Sequence, residues 1–184
     1  KPEYSVDYSL SDLFFERELA MLDACDPSMD MIVLPEACDV PCLAHSKEDF
    51  LASYHKYNKP LLDKVVETAK RCNAIVFVSA IQEVETGLRN TTYAYNRQGE
   101  LVGCYYKQHL VNRSEVKVRH LDSGYTWEFS EPTVIEIEGM RFGFLTCYDF
   151  YFYEAFANMA RQKLDVIIGC SHQRSDTHSA LQLF

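Results

Sequence analysis

Leu13, Phe14, Leu19, Met21 and Leu22 recur among charged residues at helical spacing, so residues 12–25 read as an amphipathic helix. Ser11 is placed to cap its start and Asp26-Pro27 to end it. Residues 31–34 form a short unbroken apolar run, the pattern of a buried strand, and Pro35 stops it directly before Glu36. Leu61, Leu62, Val65, Val66 and Ala69 predict a second helix over 59–71, with Pro60 in its first turn.

Beyond that helix the period changes. Residues 74–81 are a β-branched run, 91–96 alternate, and Arg97-Gln98-Gly99-Glu100 makes a turn into 101–106. The last two strands form a hairpin that ends at Lys107. Residues 114–132 are polar and without clean periodicity, long enough to be a functional loop. Residues 134–137 and 141–146 make another hairpin around Glu138-Gly139, and a helix from Cys147 through about Lys163 follows. Residues 165–169 are a further strand, and a last helix begins at Asp176. Helices alternating with apolar strands indicate an α/β protein, and the hairpins make its sheets mixed. No repeat, low-complexity tract or linker divides the chain, so residues 1–184 read as a single domain.

Composition narrows the function classes. A formal charge of −9 argues against a nucleic-acid binder, whose affinity rests largely on Lys and Arg neutralising phosphates. Seven cysteines without scaffold spacing, several inside apolar runs, point to a reducing compartment, the cytoplasm. No apolar run approaches the ~18 residues of a membrane span. The chain stops at Phe184 in what reads as mid-helix, so a fragment of a longer protein is expected.

Three polar residues stand where apolar strands end: Glu36, Lys107 and Cys147. A carboxylate, an ammonium and a thiol converging at strand ends supply a base, an oxyanion partner and a nucleophile, the parts of covalent acyl transfer. Their contexts are Leu34-Pro35-Glu36, Lys107-Gln108-His109-Leu110 and Cys147-Tyr148-Asp149 with Glu154 further on. These three motifs, in this order, resemble the carbon-nitrogen hydrolases of the nitrilase superfamily. The resemblance implies a four-layer αββα sandwich with mixed sheets and a catalytic set of Glu36, Lys107 and Cys147. It also implies no cofactor and no metal, and assembly into homo-oligomers. The Cys-Tyr-Asp context is similar to the amidase, carbamoylase and ω-amidase branches. The expected reaction is therefore hydrolysis of a small amide or N-carbamoyl compound through a cysteine thioester, with nitrile hydrolysis as the alternative. A truncated, non-catalytic scaffold is the reading from a different class, and a thiol redox protein using Cys104 or Cys170 is a third.

Further residues have two readings each. Glu115 lies near where many amidases of the family carry a second glutamate, and either orients the substrate or tunes Lys107, or is an exposed loop carboxylate. The backbone N–H of Tyr148 is expected beside Lys107 as an oxyanion donor. His172 and Arg174, just past a strand end, either read substrate polarity or belong to a helix cap near Asp176. His109 is expected to fix the Lys107 loop, and Glu154 to be a structural partner within its helix. Tyr151 and Tyr153 stand where the family often has Arg and Pro, which removes its usual neighbouring salt bridges. Cys38, Cys42, His45 and His55 are too loosely spaced for a structural zinc site.

Overall fold

The computed structural model describes residues 9–42, 44–125 and 132–172. The first helix, α1, runs Ser9–Asp23. It starts before the expected position because Ser11 is not a cap. Ser11 is buried and hydrogen-bonds to Tyr57, whose hydroxyl also donates to Asp12 Oδ1 at 2.8 Å.

The strand β1 (Met31–Val33) leads to α2, which spans Lys47–Cys72 and is far longer than the expected 59–71. Ser46 caps it by accepting the Asp49 N–H at 3.1 Å. Its buried stripe is Phe50, Ser53, Tyr57, Leu61, Val65, Thr68, Ala69 and Cys72. Two polar residues on the core-facing side, Ser53 and Thr68, break the apolar signal. Pro60 lies inside the helix on its exposed face, not in its first turn. Asn73 ends the helix in the left-handed region, φ 52°, donating its N–H back into the last turn.

The strands β2 (Ile75–Val84), β3 (Gly87–Tyr95) and β4 (Leu101–Tyr106) join β1 in a sheet of order β1-β2-β3-β4. The expected β3–β4 hairpin is present, and a second one, β2–β3, turns at Glu85-Thr86. A second sheet, order β5-β6-β7, holds β5 (Val134–Ile137), β6 (Met140–Thr146) and β7 (Val166–Cys170). Between β6 and β7 the expected long helix is divided. A 3-10 turn covers Cys147–Tyr151, Phe152 is extended, and α3 occupies only Tyr153–Ala160.

Alternation along β2 explains the layering. Val76, Val78 and Ala80 face α1 and α2, packing with Phe15, Leu22, Tyr57, Leu61, Val65 and Ala69. Ile75 and Phe77 face the other way and meet Ile135, Phe142, Phe144 and Ile168 of the second sheet. Leu145 packs with Ala155 and Met159, so α3 covers the outer side of that sheet. The fold is a four-layer αββα sandwich with mixed sheets. Gly103 shows how closely the sheets approach, since a Cβ there would lie 2.7 Å from Ile135 Cδ1.

Strand direction gathers the candidate chemistry. β1 is parallel to β2, and β3 is antiparallel to both β2 and β4, so the chain leaves β1 and β4 at the same end of the first sheet. β6 and β7 are parallel, so Cys147 and His172 both follow strand ends on one side of the second sheet. No described helix is long and apolar enough to cross a membrane.

Candidate active site

Pairing with β2 continues past β1 and holds Glu36 in place. The Leu34 N–H donates to Phe77 O at 2.9 Å, the Ala37 N–H to Ser79 Oγ at 3.1 Å and the Cys38 N–H to Ser79 O at 2.8 Å. Ala37 adopts φ 50°, turning the chain so that the Glu36 side chain is buried. Its Oε1 accepts from Lys107 Nζ at 2.7 Å and Asn90 Nδ2 at 2.9 Å, and its Oε2 accepts from the His172 N–H at 3.1 Å. Burial pushes this carboxyl up, but the Lys107 charge and the hydrogen bonds outweigh it and hold Glu36 below the usual carboxylate range.

Lys107 is held by its own N–H to Asn90 O at 2.9 Å and is 1% exposed. Its ammonium donates to Glu36 Oε1 and, at 2.8 Å, to Glu115 Oε2. Burial alone would lower its pKa; the charges of Glu36 and Glu115 more than offset this and raise it, so the ammonium stays charged. An ammonium has three donors, and these two carboxylates use two of them.

Glu115 belongs to a π-helical turn, Asn112–Val116, within the polar stretch read as a loop. It is buried, its Oε2 also accepting the Val111 N–H at 2.8 Å and its Oε1 accepting from Asn90 at 2.9 Å. This geometry excludes an exposed loop carboxylate.

Cys147 opens the 3-10 turn with φ 47°, a left-handed conformation costly for a residue with a Cβ and characteristic of strand-to-helix turns that expose a side chain. Thr146 and Asp149 stabilise it as a reciprocal capping box, with the Thr146 N–H donating to Asp149 Oδ2 at 2.8 Å. The thiol is half-buried, 3.6 Å from His172 O, and within hydrogen-bonding range of Ser171 and Glu36. Burial, then the Glu36 charge, push the thiol up despite the opposing Lys107 charge, so the resting proton sits on sulfur.

Asp149 couples this turn to the Lys107 segment. Fully buried, it also accepts from Tyr105 Oη at 2.7 Å, from the His109 N–H at 2.8 Å and contacts His109 Nδ1 at 2.9 Å. The His109 ring stacks on Phe152 at 3.7 Å. Replacing Asp149 by Asn keeps the shape but turns an NH2 group toward donors, and we expect a loss of about 3 kcal/mol in unfolding free energy. Urea denaturation of both proteins measures it.

Tyr148 is exposed, its ring meeting Tyr151 at 5.6 Å and Phe152 edge-on at 5.3 Å. His172 enters the site through its backbone, donating to Glu36 and accepting from Cys147. Arg174 and the helix expected from Asp176 lie outside the described residues. Glu154 is exposed in the first turn of α3. None of the seven cysteines is in a disulfide. Among the described residues no group of His, Cys, Asp or Glu is placed to hold a metal ion.

Asn90 and Ser79 were not anticipated. Their one signal is polarity in a strand: Asn is disfavoured in strand interiors, and a buried one needs partners.

The carbon-nitrogen hydrolase family model matches residues 11–183. The chain belongs to the carbon-nitrogen hydrolase family. No curated protein matches it. Among solved structures it is similar to a carbon-nitrogen hydrolase from Helicobacter pylori G27, at 16% identity and TM-score 0.72, over 98% of this chain and 63% of that one. It also resembles the CN-hydrolase superfamily protein XC1258 from Xanthomonas campestris, which carries an arsenic adduct in its active site. There the identity is 20% and the TM-score 0.70, over 98% of this chain and 67% of that one. An amidase from Nesterenkonia sp. matches at 16% identity and TM-score 0.68, over 97% and 64% of the two chains. This carbon-nitrogen hydrolase chain thus spans about two thirds of the length of these relatives, and the likeness carries the αββα fold.

Proposed function

We propose that this protein hydrolyses a small amide or N-carbamoyl compound through a thioester on Cys147. The observation that carries the reading is the position of Glu36, hydrogen-bonded to the Lys107 ammonium at 2.7 Å and near enough to the Cys147 thiol for each to shift the other's proton affinity. Because the thiol is neutral at rest, sulfur must lose its proton as it attacks, and Glu36, held ionised, is placed to take it. The C–S bond forms as the carbonyl becomes an oxyanion, stabilised by the remaining N–H of Lys107 and the backbone N–H of Tyr148. Glu36 returns the proton to the leaving nitrogen, and the C–N bond breaks to release ammonia or an amine. It then takes a proton from water, whose hydroxide attacks the thioester, and gives that proton to sulfur. The acid leaves and the thiol is restored.

Whole-protein mass spectrometry after brief incubation with small amides, carbamoyl amines and nitriles tests this. The expected result is an acyl mass increase with an amide or carbamoyl compound. Adducts confined to nitriles would move the assignment to nitrile hydrolysis. A folded chain that gains no adduct from any of the three would overturn the enzymatic reading in favour of a scaffold.

A further inference from the structure

We infer that Asn90 is a positioning residue that holds Glu36 and Glu115 together on one side of Lys107 and, through Ser79, locks Glu36 to the backbone turn that carries it. The inference deepens the proposed function and rests on it for its catalytic consequence.

Asn90 Nδ2 carries two N–H bonds, and the structure gives each an acceptor: Glu36 Oε1 and Glu115 Oε1, both at 2.9 Å. Its Oδ1 accepts from Ser79 Oγ at 3.3 Å. Ser79 Oγ accepts in turn from the N–H of Ala37, the residue after Glu36. The orientation of the amide is therefore determined, because a flip would aim its carbonyl oxygen at two carboxylates and its NH2 at the Ser79 hydroxyl. The Asn90 carbonyl meanwhile accepts the Lys107 N–H. One residue thus touches the base through its side chain, the cation through its backbone and the second carboxylate through its other proton.

Two anions in a buried site repel, and Lys107 alone can touch each at one oxygen only. Asn90 adds a neutral donor to each, fixing both without adding charge. Lys107 is left between them with one N–H unspent. A carboxylate at position 90 would add a third anion, and an apolar side chain would leave Glu36 Oε1 with Lys107 alone.

Protonation of Glu36 reads this role directly. The titratable groups around it are Lys107 after β4, Glu115 from the π-helical turn, Cys147 from the 3-10 turn and Cys170 at the end of β7. Asn90 lies among these groups on β3, so removing its N–H destabilises the ionised carboxyl and raises the pH at which Glu36 titrates.

The test is a carbon-13 NMR titration of glutamate-labelled protein, with the Glu36 signal assigned through Glu36→Gln, in wild type, Asn90→Leu and Ser79→Ala. No substrate is needed. The Glu36 midpoint is expected to rise by about one pH unit in Asn90→Leu and by a smaller amount in Ser79→Ala. Hydrolysis of butyramide, followed across pH, is expected to lose about tenfold to hundredfold in kcat with KM within about threefold, the acid limb moving with the NMR midpoint. If Asn90→Leu does not fold, Ser79→Ala decides through the same two readouts. Midpoints and acid limbs equal to wild type in the folded variants would overturn the inference. Wild type inert toward the whole substrate panel would instead count against the proposed function, and the NMR titration would still decide what Asn90 does.

Discussion

Cys147→Ala is expected to lower hydrolysis by about four orders of magnitude or more, since removing a nucleophile leaves only binding and oxyanion stabilisation. The acyl adduct seen by mass spectrometry should vanish with it. Stability should change little, because the thiol's contacts are at the half-buried rim of the site and Ala carries the same Cβ through φ 47°. Cys147→Ser should be nearly as inactive. A serine hydroxyl holds its proton far more tightly than a thiol, and Glu36, held below the usual carboxylate range, is a weak base for it. The raised thiol has its own consequence. Without substrate, alkylation of Cys147 by iodoacetamide should be slow at pH 7 and accelerate as pH rises past the ordinary thiol range of about 8.5. Fast alkylation at neutral pH would show a resting thiolate and remove the need for Glu36 as the first base.

The strained turn and the buried network serve one arrangement. Cys147 is aimed by backbone geometry, whereas Glu36 and Lys107 are aimed by hydrogen bonds inside the protein. Asp149 and His109 join the two, tying the segment after Lys107 to the turn after Cys147. Displacing either half would open the distance between the Glu36 carboxylate and the Cys147 thiol.

The meeting of Glu36, Lys107 and Cys147 was legible because each ends an apolar run, and strand ends are where an α/β fold presents polar side chains. Asn90 was not. It lies in Arg89-Asn90-Thr91-Thr92, where polar residues occupy both faces, and only the register pairing it with Ile81 places it beside Glu36. His172 was singled out to read substrate polarity or to belong to a helix cap, whereas its backbone contacts Glu36 and Cys147, and a backbone group leaves no mark in composition. The long α2 was hidden by Ser53, Thr68 and Pro60, each polar or helix-breaking and each placed where packing or exposure tolerates it. The helix expected directly from Cys147 failed for a local reason. Asp149 is committed to Thr146, Tyr105 and His109, and Phe152, stacked on His109, is extended with φ −107° and ψ 108°.

Lys107→Met should show how much of the site's integrity rests on one charge. In wild type, Glu36 titrates below its unfolded value of about 4.3, so its stabilising contribution is present above that pH and is lost as pH falls through the folded value. Lys107 is raised, so its contribution is present below its unfolded value of about 10.4 and is lost only at more alkaline pH. Together they stabilise the fold across the range from about 5 to 10. Methionine fills the volume but leaves two buried carboxylates facing each other without a cation, at a cost of about 3 to 5 kcal/mol at neutral pH. Burial then outweighs the remaining donors, Asn90 and the His172 N–H, and raises the Glu36 carboxyl, which reverses the slope. The variant should bind a proton on folding and grow more stable as pH falls from 7 toward 5, where wild type does not. Thermal unfolding at the two pH values measures this. A variant whose melting temperature stays level between pH 7 and 5, as a protein with an ionised Glu36 should, would show that Asn90 and the backbone donors hold the carboxylate without Lys107.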